Sequence, residues 1–301
     1  MEQSFVAWAK MRARRLPQVK LGIGDDAAIL AGSLDDCVVT TDTLMDGIHF
    51  RAEEVSGEKI GRKLISVNLS DLAAMAAEPV AVFLSLCLPR GESQQMAADI
   101  YEGVCQVAEQ FQIALAGGDT NCWDGPLVVS LTAIGRTVGG VAWLRSGAQP
   151  NDAIVVTGPL GGSILGKHLD FQPRIDLARL IRERVPIHAA MDISDGLSTD
   201  LLRMCDASHC GAVLDLDRIP VTEQAVQLAG TSGKSPVEHA LGDGEDFELL
   251  LAVSETDLPT LLSVVGQSQC HKVGTFTSRT GLWAREGSRI RQLPVTGYVH
   301  H

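Results

Sequence analysis

Seven aspartates stand in short polar bursts, beside glycines or at the ends of apolar runs. The bursts are Gly24-Asp25-Asp26, Thr40-Thr41-Asp42, Asn68-Leu69-Ser70-Asp71, Gly117-Gly118-Asp119-Thr120 and Asp192-Ile193-Ser194-Asp195-Gly196. Carboxylates gathered at one place repel one another unless a cation neutralises them. Hard oxygen ligands without histidine or cysteine favour Mg²⁺ over Zn²⁺. Mg²⁺ held by carboxylates usually carries phosphates too. The pattern therefore predicts a magnesium-dependent, phosphate-handling enzyme.

Each burst alone also has a plainer explanation. Gly24-Asp25-Asp26 reads as a turn before a hairpin. Thr40, Thr41 and Asp42 are suitable Mg²⁺ ligands, or a polar strand end. Asp71 interrupts an apolar helical pattern, where an unpaired buried carboxylate is costly; a helix cap is the competing role. Gly117-Gly118-Asp119 follows the apolar run 113–116, either as a ligand-binding edge or as a simple turn. Ser194 or Asp195 can cap the helix that follows, which leaves Asp192 unexplained. Gly158-Pro159-Leu160-Gly161-Gly162-Ser163 offers backbone N–H groups that could cradle phosphate. It is not a P-loop, and the H-R-D and D-F-G signatures of protein kinases are absent.

The elements that must position these residues alternate along the chain. Strand-like runs cover 37–44, 80–88, 113–116, 127–136, 153–157, 211–216, 247–253 and 273–277. Helical patterns cover 57–77, 94–111, 197–207, 222–228 and 257–265, and Met1 to Lys20 reads as a short amphipathic helix. The alternation predicts a mixed α/β class. Glycines, Pro150 and Asn151 interrupt the pattern over 139–152, so two domains are expected, 1–138 and 139–301.

Composition narrows the function classes. The 301 residues are 45% hydrophobic and 21% charged, ordinary for a large buried core, and aromatics are only 4%. Thirty-seven acidic against 25 basic residues give a net charge of -12, which argues against a nucleic-acid partner. Seven cysteines, an odd number without C-x-x-C, read as reduced thiols. No run approaches the roughly 18 apolar residues of a spanning helix, so a cytoplasmic protein without a membrane partner is expected.

Taken in order, the motifs resemble the thiamine-monophosphate kinase family. That family is related to aminoimidazole ribonucleotide synthetase, selenophosphate synthetase and a hydrogenase-maturation protein. The matching segments are Gly24 to Ala28, Thr41 to Leu44, Gly47 to Phe50, Asn68 to Met75, Gly117 to Thr120, Arg145 to Ala148, Asp192 to Leu197 and Gly244 to Leu249. Where the family shows Gly-Gly-Glu-Asp-Tyr-Glu-Leu, this chain has Asp243-Gly244-Glu245-Asp246-Phe247-Glu248-Leu249. The family's C-terminal Gly-Tyr-Asp-His-Phe becomes Gly297-Tyr298-Val299-His300-His301. Both departures bear on the substrate end.

The resemblance implies a two-domain, aminoimidazole ribonucleotide synthetase-like fold whose N-terminal sheet forms a barrel across a homodimer. It implies direct, Mg²⁺-dependent transfer of the ATP γ-phosphoryl group to thiamine monophosphate. By carry-over, Asp26, Thr40, Thr41, Asp42, Asp71, Asp119, Asp192 and Asp195 are metal positions, with Asp42, Asp71 and Asp119 at the chemistry. Tyr101, Gly118, Asp119, Arg145 and Ser194 face ATP, and His49, Glu245 and Tyr298 face the acceptor. The alternatives are a relative that phosphorylates another small molecule, and a non-catalytic ATP- or metal-binding regulator.

Overall fold

The stretch after Ser56 meets the local requirements of a helix. Ser56 Oγ accepts the Lys59 amide as an N-cap, and apolar residues recur at helical spacing from Ile60. In the computed structural model, which describes residues 19–298 apart from 23, 32–35, 92–93, 267 and 288, this stretch is helix α1 (Gly57–Ala74). Ile60, Leu64, Ile65, Leu69 and Leu72 are all buried, and a helix apolar on every side belongs inside a molecule. Helix α2 (Gln94–Gln110) lies against it. Gly61 and Gly103 permit the close approach: a Cβ on either would stand 2.0 Å from a backbone oxygen of the other helix. Of the helix expected over Met1 to Lys20, residues 1–18 lie outside the described residues, and Val19 and Lys20 are strand rather than helix, paired to a neighbouring strand.

Six strands form a first sheet: β1 (Val19–Leu21), β2 (Ala28–Leu30), β3 (Cys37–Met45), β4 (Glu78–Pro89), β5 (Ala114–Trp123) and β6 (Val128–Arg136). Their spatial order is β1-β2-β3-β6-β4-β5, antiparallel except for β4 with β5. Val129, Leu131 and Ala133 of β6 alternate inward, and the sheet packs this face on α1. Strand β5 differs from expectation. It does not stop at Ala116 but runs through Gly117-Gly118-Asp119 to Trp123, in register with β4. Gly118 makes this pairing feasible, because a Cβ there would meet the Leu84 oxygen at 1.7 Å.

Seven strands form the second sheet: β7 (Ala153–Val156), β8 (Ala189–Asp192), β9 (Gly211–Asp215), β10 (Leu249–Val253), β11 (His271–Thr277), β12 (Gly281–Glu286) and β13 (Arg289–Gln292). The order is β13-β12-β9-β11-β7-β10-β8. Strands β7, β8 and β10 are buried along their whole length, which explains the unbroken apolar sequences of β7 and β10; β8 is apolar only up to Asp192, its last residue. Helices α3 (Ile175–Arg182), α4 (Leu197–Ala207), α5 (Glu223–Ser232), α6 (Pro236–Gly242) and α7 (Leu258–Val265) complete the chain. One core joins α1, the first sheet, α3, α7 and one face of the second sheet; another lies under α4 and α6 on the opposite face. The mixed α/β class stands as the sequence implies, and it is built on two sheets. Among the described residues no helix is long and apolar enough to cross a membrane.

Candidate active site

Four elements deliver carboxylates to one place. Asp26 precedes β2, Asp42 lies on β3, Asp71 on α1 and Asp192 at the end of β8. One oxygen from each of Asp26, Asp71 and Asp192 falls within 4.8 Å of the others. Thr40 Oγ1 donates to Asp71 Oδ2 at 2.5 Å, and Ser70 Oγ donates to Asp192 Oδ2 at 2.6 Å. Arg145 forms a fork with Asp26: Nε donates to Oδ2 at 3.1 Å and Nη2 to Oδ1 at 2.8 Å. Its backbone N–H faces both oxygens of Asp25 at 3.3 Å.

These charges are poorly compensated. Burial pushes the Asp71 carboxyl well above the usual carboxylate range, and the negative charges of Asp42, Asp192 and Asp26 push it further. Asp192 is raised in the same way, by burial and then by Asp26. Burial raises Asp42 to about 6, and burial with Asp26 raises Asp25 to about 6. Burial works against the charge of Arg145, yet Asp26 and Asp25 hold its guanidinium above its ordinary range. Asp42 Oδ2 is buried without a hydrogen-bond partner. Hard oxygen donors in excess over one arginine, with one donor orphaned, fit a hard divalent cation such as Mg²⁺.

The strand period sorts the β3 residues. Thr40 and Asp42 face α1, whereas Thr41 between them points to the other face. There its hydroxyl donates to Leu131 O at 3.1 Å and accepts from Thr132 Oγ1 at 3.1 Å. The Thr41 side chain is thus not brought to the cluster. Gly118 and Asp119 are not brought to it either. Asp42 pairs with Leu131, Leu131 with Leu84 and Leu84 with Gly118, so Gly118 lies three strand spacings away, about 14 Å. Asp119 pairs with Ser85 in the next row, on the outward face, and accepts from Asn121 Nδ2 at 2.7 Å. Tyr101 is exposed on α2, with none of its described contacts in the cluster.

The segment from Asp192 to Gly196 joins the cluster to a second group. Asp195 pairs with Arg203 at 2.5 Å, and its N–H donates to Asp200 Oδ2 at 2.9 Å. Asp200 is fully buried and is pushed up to about 7 by burial and by Asp195. The Ser194 carbonyl accepts the Glu245 N–H at 2.6 Å, and the Asp195 carbonyl accepts the Tyr298 N–H at 3.0 Å. Gly244 must be glycine at this crossing: its φ is 74°, and a Cβ would stand 2.8 Å from Ser194 O. Glu245 and Phe247 hold φ values of 52° and 50°, strain of the kind that surrounding structure must enforce.

Sequence reasoning missed Lys63. Its ammonium donates to Glu245 Oε1 at 2.6 Å and to the His49 carbonyl at 2.8 Å, so it links two of the expected acceptor residues. The His49 ring faces back to the Met45 N–H at 3.1 Å. A lysine on a helix ordinarily points to water, and with Lys59 and Arg62 beside it nothing in the local sequence signals the burial of Lys63.

Two other expectations meet different partners. The Gly161 N–H donates to the Asp246 carboxylate at 2.9 and 3.0 Å, and the Gly162 N–H to Asp243 Oδ2 at 2.9 Å. Carboxylates of the chain itself therefore occupy the N–H groups that seemed suited to phosphate. Asp243 also pairs with His239 at 2.9 Å, and Phe247 stacks on Phe171 with centroids 4.1 Å apart. The departures at Asp243 and Phe247 are absorbed in packing and hydrogen bonding within the chain, whereas Val299, His300 and His301 of the C-terminal departure lie outside the described residues.

Residues 24–137 match the AIR synthase related protein N-terminal domain, and residues 138–284 match the corresponding C-terminal domain. The thiamine-monophosphate kinase of Rhodopirellula baltica is 45% identical over 309 residues, spanning 100% of this chain and 97% of its own. That of Caulobacter vibrioides is 35% identical, spanning 94% and 86%. Among solved structures, AaThiL complexed with AMPPCP and TMP superposes with a TM-score of 0.85 at 25% identity, covering 99% of this chain and 96% of its own. Thiamine-monophosphate kinase from Stenotrophomonas maltophilia gives a TM-score of 0.76 at 32% identity, covering 93% and 94%.

Proposed function

The chain belongs to the AIR synthase related family and, within it, to the thiamine-monophosphate kinases, and from that premise we propose that its acidic cluster is the Mg²⁺–phosphate centre of the reaction. The protein is an ATP-dependent kinase that makes thiamine diphosphate and ADP from thiamine monophosphate and ATP. The observation that carries the assignment of the centre is the convergence of Asp26, Asp71 and Asp192 beside the orphaned Asp42 Oδ2.

Asp26, Asp42, Asp71 and Asp192 are the residues that would hold Mg²⁺. When bound, the metal cancels the repulsion between donor and acceptor phosphates and aligns them. The chain's own residues do the rest. The acceptor phosphate is anionic at neutral pH, so no strong general base is needed. One of its oxygens forms the new bond to the γ-phosphorus as the bond to the β–γ bridging oxygen breaks and ADP leaves. Transfer is direct, without a phosphoenzyme. Arg145, whose fork suits carboxylate and phosphate alike, neutralises charge at the ATP phosphates. Thr40 and Ser70 hold Asp71 and Asp192 in place. Asp195 and Ser194 extend the centre toward ATP.

His49, Glu245 and Tyr298 line the acceptor end. The Glu245 carboxylate suits the cationic thiazolium, and the Tyr298 ring suits its flat partner. Tyr101, Gly118 and Asp119 lie apart from the cluster of their own chain. In this account a second copy brings Asp119 to the phosphates, in a homodimer that covers the outward face and the exposed edge of the first sheet. The chain divides functionally at 138/139, and the enzyme works in the cytoplasm.

A coupled assay of ADP formation tests the assignment. ADP should form only with thiamine monophosphate, ATP and Mg²⁺ together, EDTA should stop it, and added Mg²⁺ should restore it. ADP released equally without the acceptor, or undiminished in EDTA, would refute it.

A further inference from the structure

Lys63 is fully buried on α1, and no step of phosphoryl transfer uses it. Burying an ammonium is expensive unless a partner repays it. The partners here are specific. Nζ donates to Glu245 Oε1 at 2.6 Å and to the His49 carbonyl at 2.8 Å. These lie on separate segments: His49 in the connection from β3 to α1, Glu245 between α6 and β10. His168, whose Nδ1 pairs with the Ser163 carbonyl at 2.8 Å, lies close enough to feel both charges.

The exposure of the pair is graded. The Lys63 side chain is 0% exposed and that of Glu245 is 31%. Lysine thus stands behind glutamate. It takes Oε1, while no described contact takes Oε2. The Glu245 backbone is also constrained, by its left-handed φ and its N–H bond to Ser194 O. Side chain and main chain together leave the carboxylate little freedom. Along α1, Lys63 precedes Asp71 by eight residues, a rise of about 12 Å. That separation suits an extended molecule with a phosphate at one end and a cationic ring nearer the other.

We propose that Lys63 is the positioning residue of the acceptor site: it fixes the Glu245 carboxylate and the His49 loop in one geometry, so that the cationic ring of the acceptor meets a prearranged anion. The proposal rests on the assignment of Glu245 to the acceptor. A carboxylate already held in place spends less conformational entropy when the acceptor binds. A clamp that only joined the segments would affect stability and both substrates alike. A positioning residue acts on the acceptor alone and acts through Glu245.

A double-mutant cycle on the full-length protein separates these roles. Lys63→Met, Glu245→Gln and the double variant are compared with wild type for KM of thiamine monophosphate, KM of ATP and Tm. Lys63→Met should raise the acceptor KM about tenfold or more, the scale of a charge-assisted hydrogen bond, with the ATP KM within about twofold of wild type. In the Glu245→Gln background the same change should add little, because its route of action has gone. An unchanged acceptor KM in Lys63→Met, or effects that multiply in the double variant, would overturn the proposal while leaving Glu245 at the acceptor. An unchanged acceptor KM in Glu245→Gln would overturn the assignment of Glu245 and the proposal with it. If Lys63→Met does not fold, Lys63→Gln, which keeps a donor for the His49 carbonyl, carries the same comparison and the same criteria.

Discussion

Asp71 touches three other carboxylates electrostatically, and its contribution to function and to stability should have opposite signs. Asp71→Asn removes charge that the centre needs, so turnover should fall by orders of magnitude. It also relieves repulsion in the metal-free protein, which should melt higher by about 2–4 °C per kcal/mol relieved. Near-normal turnover at limiting Mg²⁺, or a lower melting point without metal, would contradict the placement. The pH dependence follows the same logic. Asp42 is raised to about 6 and Asp200 to about 7, so the folded state binds protons more tightly than the unfolded chain, whose carboxyls titrate near 4. Metal-free stability should therefore fall as pH rises from about 4 to about 7. Added Mg²⁺ should flatten that slope, and thermal scans at pH 5 and pH 8 with and without the ion would measure it. At this scale the acids of the centre were legible, because clustered aspartates beside glycines are unusual. Lys63 was not, because nothing local distinguishes a buried lysine from a solvated one, and its partner Glu245 lies 182 positions along the chain.

Strands and helices with strong periodicity were read to within a few residues, α4 over Leu197–Ala207 among them. The short β1 and β2, the charged β12 and β13, and the eight-residue α3 carry too little pattern to register, and pairing or packing with distant segments makes them regular. Strand β5 is the instructive error. Two glycines beside an acid look like the end of a strand, yet here they lie within one. Gly118 is small because β4 comes close, and that reason is invisible without the neighbour. Gly118→Ala should accordingly force β4 and β5 apart and lower the melting temperature by several degrees, on the scale of overpacking, about 1–3 kcal/mol. An unchanged melting curve would show that the two strands can yield at this point.

Over the whole molecule, one fact constrains assembly: Asp119 and Asp42 lie on opposite faces of one sheet, about 14 Å apart laterally. If Asp119 serves the reaction, it serves the site of a second copy. Light scattering should then give a dimer at micromolar concentration. Chains carrying Asp71→Asn and chains carrying Asp119→Asn, each inactive alone, should regain up to about a quarter of wild-type activity when unfolded and refolded together, because half the dimers are mixed and one of their two sites is intact. A fully active monomer, or no recovery on mixing, would contradict the shared site. The mixed α/β class and the order of the motifs were legible in the sequence; the separation of Asp119 from its own cluster was not, since it depends on strand order. If the acidic cluster directs phosphoryl transfer to thiamine monophosphate, ³¹P NMR of a mixture with ATP and Mg²⁺ will show the product form. The monophosphate resonance should give way to the paired doublets of thiamine diphosphate as ADP appears, with no such change for Asp71→Asn. Inorganic phosphate accumulating beside unaltered thiamine monophosphate would contradict it.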